Sequence, residues 1–519
     1  MSLTERALYR PSRECVEIVA AASVGLVLGI VSLVASPRLC VFLLVGGLLL
    51  YGGLKRPEIA ILAFLSVVVT TGNQSQMPSF SIGIGTIYLS DMMLAGMLIL
   101  VVIRLLVEKD FGFVHTSLHI PLALFYFTAL LATGAGIMAS RVTFRESLGE
   151  LRVVSNYLIF FAVTNLIRET RQLKSLLRWL RVLAMAVALM MLVQYLMGEA
   201  SPILGGRVET LWTEGVTFNS VVRIIPPGES VVVALFITTS VGLALRKAKW
   251  ASILGFLEWG ILGVAVVLTF KRNVWVGVCV VSLFLWYLLR EQDRRRYVQW
   301  SLAILPVISI VVLVVVGYPG SRFGRLATAS VERLQSLLNS ATYEDPNSSL
   351  RTRDIEYGYA FRQIESHPIL GLGLGAAYRP TLAGHDSVDS SGGMTWIHNG
   401  HVWVALKTGL LGYIFFVWLS VLYLARGLRY WRSVGDVEMR VAVLGFTLTY
   451  VVVLLGTVVN PNVVTWYWTP VLGVMMGFNE AVMKGLPSAK DRPGDQRGLN
   501  RALERRGLSL GGGLRGEEE

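Results

Sequence analysis

The feature that most constrains this chain is a succession of apolar runs separated by short polar connections into which the charges are gathered. Most of the runs are long enough to cross about 30 Å of hydrocarbon. A soluble domain has no core large enough to hide so many uninterrupted apolar stretches, and the composition agrees: 54% of the residues are hydrophobic, 16% are charged, and the mean hydropathy is +0.60. Taken in order, the runs predict helices near 17–35, 39–54, 57–71, 89–107, 119–139, 150–167 and 176–197, followed by 229–245, 250–270, 272–289, 299–318, 397–425, 438–458 and 463–482. The expected fold class is an all-α, polytopic transmembrane helical bundle of about 12–14 spans.

Orientation follows from the basic residues, because cytoplasmic loops carry the excess of Lys and Arg. With the segment bearing Arg6, Arg10 and Arg13 inside, alternation also puts inside Lys55-Arg56, the 168–181 segment, Arg246-Lys247, Arg294 to Arg296 and the 426–440 connection. Both termini are then cytoplasmic, in a bacterial inner membrane. The net charge of +13 is on this reading a topology signal and an attraction to anionic lipid, not the footprint of a nucleic-acid partner. The first run does not read as a cleaved secretory signal, since another span follows within a few residues. Cys15, Cys40 and Cys279 fall in places that allow no disulfide pair. Residues 1–483 read as one membrane domain and 484–519, rich in Gly, Arg and Glu, as a disordered cytoplasmic tail.

Two sizeable loops are left for the outer face, 198–228 and 319–396, and long connections between packed spans usually carry function. In the second, a polar turn at 344–349 leads into an amphipathic stretch with Tyr359, Ala360, Phe361 and Ile364 at helical spacing. That helix is expected to lie along the membrane surface or on the bundle. The run Gly371-Leu372-Gly373-Leu374-Gly375 follows a helix and not a strand, so it does not read as a dinucleotide loop. Its glycines allow a sharp turn and close backbone approach, to neighbouring helices or to a phosphate.

The loop closes on Trp396-Ile397-His398-Asn399 at the mouth of a span. A histidine near neutral pKa at the head-group level suits the removal of a proton from a sugar hydroxyl; the bland alternative is that it merely caps the helix together with Asn399. His401 lies one turn on, but two histidines without a carboxylate do not make a metal site. Lys271-Arg272-Asn273 is pinched between two apolar runs with almost no loop, where such charges are costly unless something anionic meets them. Arg272 and Lys271 are therefore candidates to grip a pyrophosphate, with snorkelling to the interface as the plain alternative. Arg351 and Arg353 in the long loop, and Arg207 and Arg223 in the shorter one, are further candidates for donor or acceptor contacts. Glu258 and Lys407 fall inside spans, and the sequence leaves their roles open.

The strings SSLRTRDIEYGYAFRQIESHPILGLGLG and WIHNGHVWVALKTGLLG resemble the C-terminal signature of the O-antigen ligase and polymerase family, and LTFKRNVWVG resembles the short Arg-bearing stretch that opens it. The resemblance covers roughly residues 260–425; where the family more often has Ser-Arg-Gly, this chain has Lys271-Arg272-Asn273. It implies a GT-C-like membrane glycosyltransferase that moves glycan from an undecaprenyl-pyrophosphate carrier to a glycan, lipid or protein acceptor at the outer face, with no metal, nucleotide sugar or other cofactor. It also implies that Arg272, Arg353 (or Arg351 in its place) and His398 are the catalytic set. Polymerase is the first expectation, because basic residues in two loops suit two anionic lipid-linked substrates, and ligase the alternative. A flippase of lipid-linked oligosaccharide is the rival from another class, and it would need ionisable residues lining a path through the midplane.

Overall fold

The computed structural model describes residue 52 and residues 55–72, 76–83, 85–109, 111–199, 203–213, 216–245, 249–302, 322–335, 349–380 and 394–484. The helices expected at 17–35, at 39–54 in all but residue 52, and at 299–318 in all but its first residues, lie outside these, as does the tail. The described elements are helix α1 (Pro57–Thr70), the hairpin β1–β2 (Ser79–Ile82, Gly85–Tyr88), α2 (Leu89–Val107), α3 (His119–Met138), α4 (Phe144–Ser155), α5 (Ile159–Leu166) and α6 (Thr170–Met197). The hairpin β3–β4 (Arg207–Thr213, Val216–Ile225) follows, then α7 (Glu229–Leu245), α8 (Lys249–Leu268), α9 (Arg272–Leu288), α10 (Arg322–Gln335), α11 (Ser349–Ser366), α12 (Gly400–Tyr430), α13 (Val437–Thr457) and α14 (Thr469–Lys484).

The protein is a polytopic helical bundle. Among the described residues, five helices (α2, α3, α6, α12 and α13) are long and apolar enough to span a membrane, and α1, α7, α8 and α9 are shorter apolar helices. Helix α13 is central: 78% of its most apolar stretch is buried, against 39–44% for the other long spans, whose remaining apolar surface faces outward as a lipid-exposed helix requires. It packs against α7, α9, α12 and α14, while α12 lies along α3 and α14 along α5. Small residues set the closest approaches, as a bundle without a hydrophobic driving force between its helices demands. A Cβ on Gly477 of α14, for example, would stand 2.7 Å from Val163 of α5.

Most expected spans appear within a few residues of their reading. The differences have local causes. The run at 150–167 begins earlier, at the capping box of Thr143 and Glu146, and is divided by a 3-10 turn over Asn156–Leu158. The last span starts at Thr469, after a 3-10 turn at Asn462–Val464 that follows Pro461.

Ion pairs join the spans at one end of the bundle: Lys174 to Asp436 at 2.5 Å, Arg181 to Glu438 at 3.1 Å, and Arg426 bidentate to Glu480 at 2.7 and 2.9 Å. The opposite end gathers the C-terminus of α6, the β3–β4 hairpin, the α8–α9 turn, the start of α12 and the α13–α14 connection. Helices α10 and α11 lie there too. Helix α10 packs on β4, and Leu211, Val221, Phe270 and Ala329 make a small second core separate from the main one.

Candidate functional site

The α8–α9 turn is three residues long, Thr269 to Lys271, and tightly held. Phe270 is fully buried in the second core with φ at 49°, a left-handed conformation that a bulky L residue adopts only under constraint. Lys271 follows as the N-cap of α9, and its ammonium pairs with the Glu229 carboxylate at the start of α7, both side chains buried. Arg223 of β4 donates to the Thr269 carbonyl at 3.1 Å and faces Glu209 at 3.4 Å. Burial lowers the Arg223 guanidinium from its ordinary pKa, and Glu209 opposes that shift. Arg207 is 66% exposed and donates to the same Glu209 at 2.6 Å. Lys271, Arg223 and Arg207 thus each meet a carboxylate of the chain, and they brace the hairpin and α7 around a turn whose next residue is Arg272.

Arg272 opens α9, so it sits at a helix end where the first backbone N–H groups have no intrahelical partner. Its charge is felt by Arg353 on α11, which places the two guanidinium groups in one neighbourhood. Arg353 is half-buried; burial lowers its pKa first, Tyr357 and Glu356 raise it, and Arg272 lowers it again. The Arg353 Nε is buried with no hydrogen-bond acceptor among the described residues. Two cations held close together, one with an unmatched buried donor, make a natural receptor for a multiply charged anion.

One turn further along α11, Glu356 and Tyr357 share the face of Arg353, as the i, i+3 and i+4 spacing requires. Glu356 is 2% exposed and accepts from the backbone N–H of His398 at 3.0 Å. Its two oxygens also lie 2.9 and 3.0 Å from His398 Nδ1. The His398 side chain remains 41% exposed. Asn399 caps α12, its Oδ1 accepting from the N–H groups of His401 and Val402 at 3.0 and 3.2 Å, and its amide reaches the Tyr357 hydroxyl at 3.4 Å. The capping duty therefore falls to Asn399 and leaves the His398 ring for another use. The His401 ring packs edge-on to Tyr413 and Phe416, with centroids 6.1 and 6.2 Å away, apart from this cluster.

The Gly-rich run anchors α11 to α12 by filling a break in a span. Gly409 in α12 has φ 68° and ψ −179°, which interrupts the helix and frees carbonyls before it and N–H groups after it. The 368–375 segment supplies their partners: Leu372 and Gly373 N–H donate to the Leu406 and Lys407 carbonyls at 2.9 and 3.0 Å, and Leu410 N–H donates to the Pro368 carbonyl at 2.8 Å. Gly373 has φ 93°, and a Cβ there would stand 2.8 Å from the Ala132 carbonyl of α3. Lys407, fully buried, donates to the Ala376 carbonyl at 2.6 Å and pairs with Glu150 of α4 at 3.2 Å, while Glu150 accepts from Gly375 N–H at 2.6 Å. These glycines therefore approach neighbouring helices, which answers the choice left open between helix and phosphate. Glu258 takes a hydrogen bond from Thr239 at 2.9 Å between α7 and α8, away from the cluster.

The structure brings Arg272, Arg353, His398 and Asn399 into one region. It places Arg207, Arg223 and Lys271 in the brace beside that region; the side chain of Arg351 lies outside the described residues. Sequence reasoning missed Glu356, Tyr357 and Glu229. Glu356 and Tyr357 carried one signal, since they follow Arg353 at helical spacing within the quoted string; Glu229, at the mouth of a span with no sequence link to Lys271, carried none.

Residues 259–417 match the family model described as O-antigen ligase. That span takes in Arg272, Arg353, Glu356, His398, the Gly-rich run and Lys407. The comparison with curated proteins found no match to the chain.

Proposed function

Because residues 259–417 match the O-antigen ligase family model, which supports an O-antigen ligase or polymerase type of function, we propose that the chain transfers glycan from an undecaprenyl-pyrophosphate carrier to an acceptor hydroxyl. The observation that carries this reading is the convergence of Arg272 of α9, Arg353 of α11 and His398 of the segment just before α12 at one end of the bundle. The acceptor oxygen attacks the anomeric carbon and the bond from that carbon to the pyrophosphate oxygen breaks. The hydroxyl proton passes to His398, and the leaving pyrophosphate takes up charge beside Arg272 and Arg353. Fixed cations aimed at charge that develops in the transition state supply the larger electrostatic share, and a positioned base adds about 10² to 10⁴ in rate. With the Lys- and Arg-rich end inside, the site faces outward, where the lipid-linked donor lies. The chemistry assigned to these residues needs neither metal nor nucleotide sugar.

The polymerase reading drew on basic residues in two loops. Because Arg207, Arg223 and Lys271 each face a chain carboxylate, one anion grip, at Arg272 and Arg353, stands clear among the described residues, and that favours the ligase reading over two pyrophosphate sites. The test uses purified full-length protein with undecaprenyl-pyrophosphate oligosaccharide and a chelator. A product ladder without added acceptor identifies a polymerase, and transfer only after a lipid or protein acceptor is supplied identifies a ligase. Arg272→Ala and Arg353→Ala are each expected to lose most transfer while still inserting in the membrane. Near-normal product from both variants would sink the assignment, and silence of the native protein in both formats would favour a flippase.

A further inference from the structure

Glu356 is a buried carboxylate that the transfer step leaves unassigned. It reaches His398 twice, through the backbone N–H at 3.0 Å and through Nδ1 at 2.9 and 3.0 Å. We infer that Glu356 is the positioning residue of the transfer reaction, fixing His398 in the tautomer that carries its proton on Nδ1 and turns a bare Nε2 toward the acceptor hydroxyl. This rests on the transfer reading above.

The contacts together assign the tautomer. An ionised carboxylate holds acceptors only, so Glu356, with one oxygen accepting from the His398 N–H and both oxygens within reach of Nδ1, accepts a hydrogen bond from an Nδ1–H. A neutral imidazole has one N–H, so Nε2 is left as the acceptor. The environments match the two roles, because Glu356 is 2% exposed and serves no solvent contact, while the His398 side chain is 41% exposed. The ring is held from below and open above.

The carboxylate also balances charge through the step. As the acceptor O–H bond breaks, its proton goes to Nε2, the electron pair of that bond forms the new bond to the anomeric carbon, and the bond from that carbon to the pyrophosphate oxygen breaks, its pair leaving with the pyrophosphate. The imidazole becomes an imidazolium, whose positive charge then lies against Glu356, and the Nδ1 proton stays where it was. The arrangement is that of an orienting carboxylate behind a histidine base, where loss of the carboxylate leaves the ring present but wrongly protonated. Glu356 sits one turn from Arg353 on α11, so a single helix fixes both the anion grip and the orientation of the base. An effect on the base therefore has to be separated from an effect on donor binding.

The experiment is a double-mutant cycle in the purified full-length protein, with undecaprenyl-pyrophosphate oligosaccharide as donor and the acceptor that supports transfer. Glu356→Gln preserves size and is expected to lower kcat by about 10²-fold or more, within the range of about 10² to 10⁴ that a positioned base contributes, with donor KM within about twofold. In the His398→Ala background, whose residual rate comes from the arginines, Glu356→Gln is expected to remove nothing further. Glu356→Asp keeps the charge with a shorter reach and is expected to fall between the native protein and Gln; it also serves if Gln folds poorly. Equal losses from Glu356→Gln in both backgrounds, or a change confined to donor KM, would show a structural or donor-binding role and overturn the inference. Native rates in Glu356→Gln beside a crippled His398→Ala would overturn it while leaving the transfer reading intact. Native rates in His398→Ala would bring down the transfer reading itself.

Discussion

Lys407 and Glu150 make unequal contributions to the same buried pair, and substituting each separately exposes the difference. Lys407 is fully buried, with the Ala376 carbonyl at 2.6 Å and Glu150 at 3.2 Å as its partners. Glu150 retains 19% exposure and has a second donor in Gly375 N–H. Breaking a buried pair by removing one partner costs roughly 3–5 kcal/mol, because the survivor is left charged and uncompensated. In Lys407→Met the survivor is Glu150, which water and Gly375 still reach, so the cost falls at the low end, about 3 kcal/mol, including an orphaned Ala376 carbonyl. In Glu150→Gln the survivor is a lysine sealed inside the bundle, and the cost rises toward about 5 kcal/mol. The double variant leaves no charge behind and is expected to lose less than the sum of the two, with a coupling of roughly 1–3 kcal/mol. The assay is equilibrium unfolding of the full-length protein in mixed micelles, followed by helical circular dichroism. Glu150→Gln as stable as the native protein, or strictly additive losses, would falsify the idea that this pair holds the loop.

Two further outcomes are expected. Gly409→Ala forces a left-handed φ of 68° on an L side chain whose Cβ overlaps the Ile369 carbonyl, so a loss of at least about 2 kcal/mol in the same unfolding assay is expected, and a native-like variant would show that the break is not required. Asp436→Ala removes the cap of α13, which accepts from Glu438 and Met439 N–H at 2.8 and 3.1 Å; a loss of about 1 kcal/mol with transfer unchanged is expected, and a large fall in transfer at constant stability would tie this far end to the site.

The spans were legible because hydrocarbon thickness and the 1.5 Å rise of a helix leave little choice once an apolar run is long enough. The run at 229–245 is observed as read, and that at 89–107 likewise. The β3–β4 hairpin was not legible, although the 207–225 segment is rich in β-branched residues, because charged residues and a Glu-Gly pair between two spans have the composition of a loop. In the site, Arg272 and His398 stood out because polar residues at span boundaries are costly and few. Glu356 did not, since a glutamate on an amphipathic helix ordinarily faces water, and only the return of the chain to 398 puts it underground. The interior role of Lys407 was open for the same reason: its counterion lies on a helix far earlier in the sequence.

That separation also orders how the protein is made. Glu150 is synthesised well before Lys407, on the short polar helix α4, where its carboxylate keeps 19% exposure and so can stay wetted until its cation arrives. A lone lysine inside a span is costly on insertion, up to roughly 2.5–3.5 kcal/mol at a helix centre, and Lys407 lies two turns inside α12, so α12 settles by docking against the helix that carries Glu150, and the Gly-rich turn can thread the gap at Gly409 only after that. Helix α11, with Arg353 and Glu356, is tethered through that turn. The docking that neutralises Lys407 is then the same step that ties α11 to α12 beside the site, and a chain stalled before it displays an unneutralised charge in place of a finished site.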